Sequence, residues 1–176
     1  MKLGVFTVLY QNLSFEEMLD KVVEMGLEAI ELGTGYYPGQ AHCNPRHLLE
    51  HPKELEAYKK AIESRGLMIS GLSFHGNPLH PNKSIAEASH QSWRDTVRLA
   101  KELEVEVVNG FSGCPGDHPG AKYPNWVTCA WPPEYQEILE WQWNEVVIPY
   151  WREEAKFAKE HGVKKIAFEM HPGFVV

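Results

Sequence analysis

Lys164–Phe174 reads KKIAFEMHPGF, and this stretch decides how the rest of the chain is read. Residues 164–168 have the apolar character of a buried strand, and a carboxylate, Glu169, follows at once. Strand alternation puts Glu169 on the face of Ala167 and turns Phe168 to the other face. The small Ala167 leaves room beside the carboxylate. A Glu in such a place suits a divalent metal or a general base; its competing reading is a local cap or ion pair. Pro172 biases His171 towards an extended conformation. That keeps the parity of the strand and points His171 the same way as Glu169, either to contact substrate or to pack under the loop.

Upstream the same unit repeats. Lys2–Val8 is strand-like. Ser14 and Glu17 form a capping box that opens a helix, with Phe15, Met18, Leu19, Val22 and Val23 on its apolar face and Gly26 as its stop. Ala29–Leu32 is a second strand, followed by a loop of about twenty residues from Gly33 to His51. Pro52 starts the next helix and Gly66 ends it, with Leu55, Tyr58 and Ile62 buried. Met68–Phe74 is the third strand. Ser84 and Glu87 make a second capping box for a helix reaching about Leu103. Val105–Phe111 is the fourth strand, and a long loop runs from Ser112 to Pro132. Helix is expected from about Pro133 to His161, broken or kinked at Pro149 and closed by Gly162. Two features depart from regular patterning. Glu104 stands where a helix-stopping glycine would be natural, and Asn109 and Gly110 interrupt the fourth strand.

Strict alternation of strand and helix implies a parallel sheet covered by helices. Two architectures fit it: a doubly wound open sheet, or part of a (β/α)8 TIM barrel. Five strands would complete the first but not the second, which takes about 250 residues. No G-x-G-x-x-G follows strand one and no G-x-x-x-x-G-K-[ST] occurs, so dinucleotide and P-loop chemistry have no support.

The chain has 176 residues, 43% hydrophobic and 23% charged, with a net charge of -7. That is ordinary for a globular domain with a real core. Lys and Arg are scattered, which argues against nucleic acid as a partner. No run of apolar residues is long enough to span a membrane. GVFTVLY, near the start, reads as a strand and not as a signal peptide. The three cysteines, Cys43, Cys114 and Cys129, match neither a metal motif nor a disulfide framework. Reduced thiols and a cytoplasmic location are expected.

Both architectures place function at the carboxyl ends of strands. There the sequence offers Glu31, His75, Glu169 and His171. His75 precedes Gly76, which permits a tight turn and close approach of a ligand. Its imidazole can ligate metal or bond a sugar hydroxyl; its bland reading is a His satisfied by loop backbone. Glu31 needs a partner if it points into a barrel, and so does Asn109. His80 reads as loop scaffolding. Trp126 and Trp131, in the long fourth loop, can wall a sugar pocket or simply hold that loop down.

GLEAIELG on strand two, GLSFHGNPLHP on strand three and GVKKIAFEMHPGF on strand five resemble the xylose isomerase-like TIM-barrel superfamily, and within it the sugar phosphate isomerases/epimerases. The resemblance spans the chain and rests most on the Glu-x-His-Pro-Gly turn and the strand-three His. It implies that residues 1–176 are the amino-terminal portion of a (β/α)8 barrel, with strands one to five and helices one to four. It also implies a divalent metal (Mn, Zn, Co or Mg), with Glu169 as one ligand and as a catalytic acid–base group. The remaining ligands are then expected beyond Val176. The implied substrate is a small sugar or sugar phosphate, bound with the help of His75 and His171; Glu31 and Trp126 are further candidates to bind it by their positions alone. The implied reaction is isomerisation or epimerisation by proton abstraction next to a carbonyl. A keto-sugar or keto-cyclitol dehydratase is the near alternative. An inactive fragment, or a half-barrel that self-associates through its open strand edges, is another. A family-2 apurinic endonuclease fits poorly, since strand four ends in NGFSG without a His and the chain is acidic.

Overall fold

The computed structural model of the protein describes residues 1–170. Its strands are β1 (Gly4–Phe6), β2 (Ala29–Tyr36), β3 (Met68–His75), β4 (Val107–Gly110) and β5 (Lys165–Phe168). They form one sheet in the order β1-β2-β3-β4-β5, with every neighbouring pair parallel. Each new strand is added beside the last, so the sheet winds one way only. A doubly wound sheet reverses its strand order at a switch point, and this sheet has none. The architecture is therefore a five-stranded part of a (β/α)8 barrel wall.

The helices are α1 (Phe15–Glu24), α2 (Pro45–Glu50), α3 (Pro52–Glu63), α4 (Lys83–Glu102), α5 (Glu134–Trp141) and α6 (Ile148–Glu160). The Ser14/Glu17 capping box is present: Ser14 Oγ accepts the Glu17 N–H at 3.3 Å, and the Glu17 carboxylate accepts the Ser14 N–H at 2.9 Å. Met18, Leu19 and Val22 are buried as expected, and Leu55, Tyr58 and Ile62 likewise. Val23 is exposed instead, because it lies about 100° around the helix from Val22.

Several boundaries differ from expectation for identifiable reasons. The first strand is only Gly4–Phe6, since the backbone beyond it bonds locally in a 3₁₀ turn, Thr7–Tyr10. The segment expected to be a loop, Gly33 to His51, holds the end of β2 and the whole of α2. Asn44 caps α2 by accepting the His47 N–H at 3.1 Å. Helix α4 is capped by Asn82, which accepts the Ser84 N–H at 3.0 Å, and not by a Ser84/Glu87 box. Asn is among the strongest N-cap residues, and it starts the helix earlier. The long last helix is interrupted by a π-helical turn, Gln142–Val147, directly ahead of Pro149. Pro149 cannot donate to the carbonyl four residues back and its ring crowds that turn, so the coil widens there.

The core lies between sheet and helices. Ile30 and Leu32 of β2, Leu72 and Phe74 of β3 and Val108 of β4 all point outward into it, against Trp93, Val97 and Trp151 among others. The residues between them, Glu31, Ser73 and Asn109, then face the barrel interior. Gly110 has a structural reason: a Cβ there would run into the carbonyl oxygen of Phe74 on the neighbouring strand. Glu104 has a left-handed φ of 56°, which is why a glycine would be natural there. Strand β5 is not the buried strand that its composition suggests. Lys165, Ala167 and Phe168 are exposed, because β5 is the edge of the described sheet and pairs on one side only.

Candidate active site

The inner face of the sheet is built from small and polar residues in register. Phe6 pairs with Glu31, and Glu31 with Gly71. One step further along the strands, Ser73 pairs with Asn109 and Asn109 with Ala167. The hydroxyl of Ser73 donates to Oε1 of Glu31, and Asn109 Nδ2 reaches Ser73 Oγ at 3.5 Å. The partners demanded of Glu31 and Asn109 thus exist, and Ser73 is shared between them. Sequence reasoning passed over Ser73. Strand parity was the available signal, since it stands two residues before His75 on the same face.

At the carboxyl end of the same face, Glu169 and His75 meet. Glu169 Oε2 lies 3.2 Å from His75 Nε2 although the residues are 94 positions apart. The Glu169 N–H donates to the Gly110 carbonyl at 2.9 Å, extending the β5 ladder by one bond and fixing the direction of the side chain. The Glu169 side chain is 56% exposed and that of His75 only 6%. The carboxylate therefore projects into the open end of the barrel while the imidazole forms part of its wall. The His75 ring stands edge-on to Phe111 with centroids 4.5 Å apart. Its Nδ1 is buried without a hydrogen-bond partner among the described residues. Phe6, Glu31, His75, Asn109, Ala167 and Glu169 line a cleft of about 270 Å³.

Glu31, His75 and Glu169 are thus brought to one cleft. Trp126 is not among its lining. It borders a separate depression of about 520 Å³ with Asp117, His118 and Tyr123. The neighbouring Asn125 is the reason, since its carbonyl accepts from Gln142 Nε2 at 2.7 Å and from the Cys114 thiol at 3.3 Å. The Gln142 bond ties the loop to the last helix, and the Cys114 bond closes the loop on itself. His80 behaves as scaffolding: its Nδ1 accepts the Asn82 N–H at 2.9 Å. His171 and Pro172 lie outside the described residues.

The donor chemistry of the cleft suits a divalent ion in part. Imidazole and carboxylate at 3.2 Å are spaced as two neighbouring ligands of one small ion are. Among the described residues, however, no third His, Cys, Asp or Glu donor gathers with this pair within 4.8 Å. The described part of the cleft offers an incomplete ligand set.

Comparison with known proteins gives the fold a family context. A family model described as xylose isomerase-like TIM barrel matches residues 19–176. The Bacillus subtilis (strain 168) protein YfiH, described as uncharacterized, is 37% identical over 172 residues, covering 96% of this chain and 54% of its own. The chain thus spans about half the length of the curated relative it matches. Two solved structures share the fold at low identity. The probable 3-DHS dehydratase AsbF of Bacillus anthracis superposes with a TM-score of 0.63 at 16% identity, covering 98% of this chain and 53% of that one. The D-psicose 3-epimerase of Clostridium cellulolyticum H10, solved with D-tagatose, gives 0.56 at 16%, covering 93% and 50%. No helix of the described residues is long and apolar enough to cross a membrane.

Proposed function

The chain belongs to the xylose isomerase-like TIM-barrel family, and from that premise we propose that it supplies one wall of a metal-dependent sugar or sugar-phosphate isomerase/epimerase site. The observation that carries this reading is the pairing of Glu169 with His75 at the open end of the strands. Glu169 is the acid–base group. Its half-exposed carboxylate takes the proton from the carbon next to a carbonyl and holds it at one of its oxygens. His75, fixed in the wall, donates from Nε2 to that carboxylate and orients it. Glu31, held by Ser73, accepts hydroxyl groups of the substrate on the opposite side of the cleft. The cleft, at about 270 Å³, suits a small sugar. Glu169 would be a ligand of the divalent ion. When bound, such an ion polarises the carbonyl and lowers the barrier to removing the neighbouring proton.

The described residues gather two donors in the cleft, which supports a second reading for the chain taken by itself. A catalytic ion needs about three protein ligands, and in this reading the chain is inactive alone and completes its site with further strands. Residues 1–176 then form the amino-terminal portion of the barrel. A dehydratase of keto-sugars or keto-cyclitols would use the same proton abstraction.

The test is deuterium incorporation from D₂O into ketohexoses in the presence of Mn²⁺, run with light scattering on the same sample. Exchange that depends on metal and vanishes in Glu169→Gln supports the role of Glu169. Exchange that persists in that variant refutes it. No exchange from a metal-free monomer assigns the chemistry to a longer barrel and makes this chain inactive alone.

A further inference from the structure

A second cluster of metal-type donors lies away from the cleft, where α2 meets α3. It comprises His47 in α2, His51 between the helices and Glu54 in the first turn of α3. One ligand atom of each lies within 4.8 Å of the other two. We propose that His47, His51 and Glu54 form a surface binding site for a borderline divalent transition ion such as Zn²⁺.

The local backbone builds this cluster. Asn44 caps α2 through the His47 N–H, and Pro52 opens α3 immediately after His51. Leu48 and Leu55 are buried beneath the two helices, so the corner is anchored while its outer side chains remain exposed. His51 has a non-helical backbone, φ -123° and ψ 74°, which breaks the helix between the two histidines. Even so the imidazoles stack, with ring centroids 4.2 Å apart and planes 25° from parallel.

The hydrogen bonds suit metal binding. His51 Nδ1 lies 2.8 Å from the carbonyl oxygen of His47. A carbonyl can only accept, so Nδ1 carries the proton and Nε2 keeps its lone pair. A backbone carbonyl on one ring nitrogen is the usual device that orients a metal-binding histidine. His47 Nε2 lies 2.8 Å from Glu54 Oε2. There an ion can take the place of the proton shared between imidazole and carboxylate. All three side chains are exposed, so small rotations let the lone pairs converge on one point. Two imidazoles and one carboxylate favour zinc, nickel or copper over magnesium and calcium, which prefer oxygen ligands. The ion would clip α2 to α3 and stabilise the folded chain by mass action.

None of these residues lines the Glu169 cleft, so the two sites separate experimentally. Zn²⁺ is titrated into the chain carrying Glu169→Gln, with calorimetry for stoichiometry and thermal melting for stability. The expected result is one zinc per chain and a melting temperature that rises with zinc. Adding His51→Ala or Glu54→Gln should weaken zinc binding at least about tenfold, with circular dichroism unchanged and excess Mg²⁺ unable to compete. The proposal is overturned if the Glu169→Gln chain binds no zinc, or if it binds zinc equally well after either further substitution. Both added substitutions are at exposed positions, and each serves as the folding control of the other.

Discussion

Replacing Arg94 with methionine should destabilise the protein by about 3 kcal/mol, the low end of what breaking a buried ion pair costs. Glu154, on α6, is 2% exposed, and Arg94 reaches it from α4 with two nitrogens, at 2.8 and 3.2 Å. The pair joins α4, which packs on β2, β3 and β4, to α6, whose Trp151 meets Phe168 of β5. Methionine keeps much of the aliphatic stem but leaves a buried carboxylate without its guanidinium partner, with His90 no closer than 3.9 Å. The low end applies because Arg94 is one-third exposed, so water already screens part of the attraction. In a chain of this size the change corresponds to a fall of about 5–10 °C in melting temperature. Urea unfolding followed by tryptophan fluorescence measures it, since Trp93 and Trp151 pack edge to face with centroids 5.1 Å apart. The double variant Arg94→Met with Glu154→Met should recover most of the loss, because replacing both partners removes the unpaired charge. A single variant within about 0.5 kcal/mol of the parent, at unchanged denaturant slope, refutes the reasoning.

Glu104→Gly should raise stability by about 1 kcal/mol, because Glu104 occupies a left-handed conformation that costs a residue with a Cβ roughly that much; an unchanged urea midpoint would show that the strain is absent. His90 titrates below its ordinary value of 6.5, because burial disfavours its charged form and Arg94 repels it, while Glu154 acts the other way. The folded chain therefore binds this proton less readily than the unfolded chain. Its contribution is complete above pH 6.5 and is lost as pH falls through the folded value. His90→Gln should flatten the acid side of the stability profile, and an identical slope in the two proteins would count against it. Burial pushes the thiols of Cys43 and Cys114 up to about 12, and Cys129 is exposed. A thiol reagent at neutral pH should label Cys129 alone in the folded chain and all three cysteines in denaturant; rapid labelling of Cys43 without unfolding would contradict the packing around it.

What the sequence by itself determined follows from local rules. Helix and strand periods differ, so β-α alternation was legible from the spacing of apolar residues. Capping at Ser14, the stops at Gly26, Gly66 and Gly162, and the disturbance near Pro149 depend on a few neighbouring residues and were legible too. The parity of a strand put Glu169 beside Ala167 before any neighbouring strand was known. The Asn44-capped helix was missed because a turn and a half carries too little periodicity to stand out. The burial of β5 was misread because apolar character does not report whether a strand has neighbours on both sides.

Tertiary structure alone decided the rest. The order β1-β2-β3-β4-β5 separates a barrel wall from a doubly wound sheet, and strand order depends on pairings between distant segments. The meeting of His75 with Glu169 and the sharing of Ser73 between Glu31 and Asn109 are contacts of the same kind. So is the placing of Trp126 outside the cleft, fixed by bonds from Gln142 and Cys114 to its neighbour. A side chain's own segment sets the face it points from, and the register of neighbouring strands sets what it meets there.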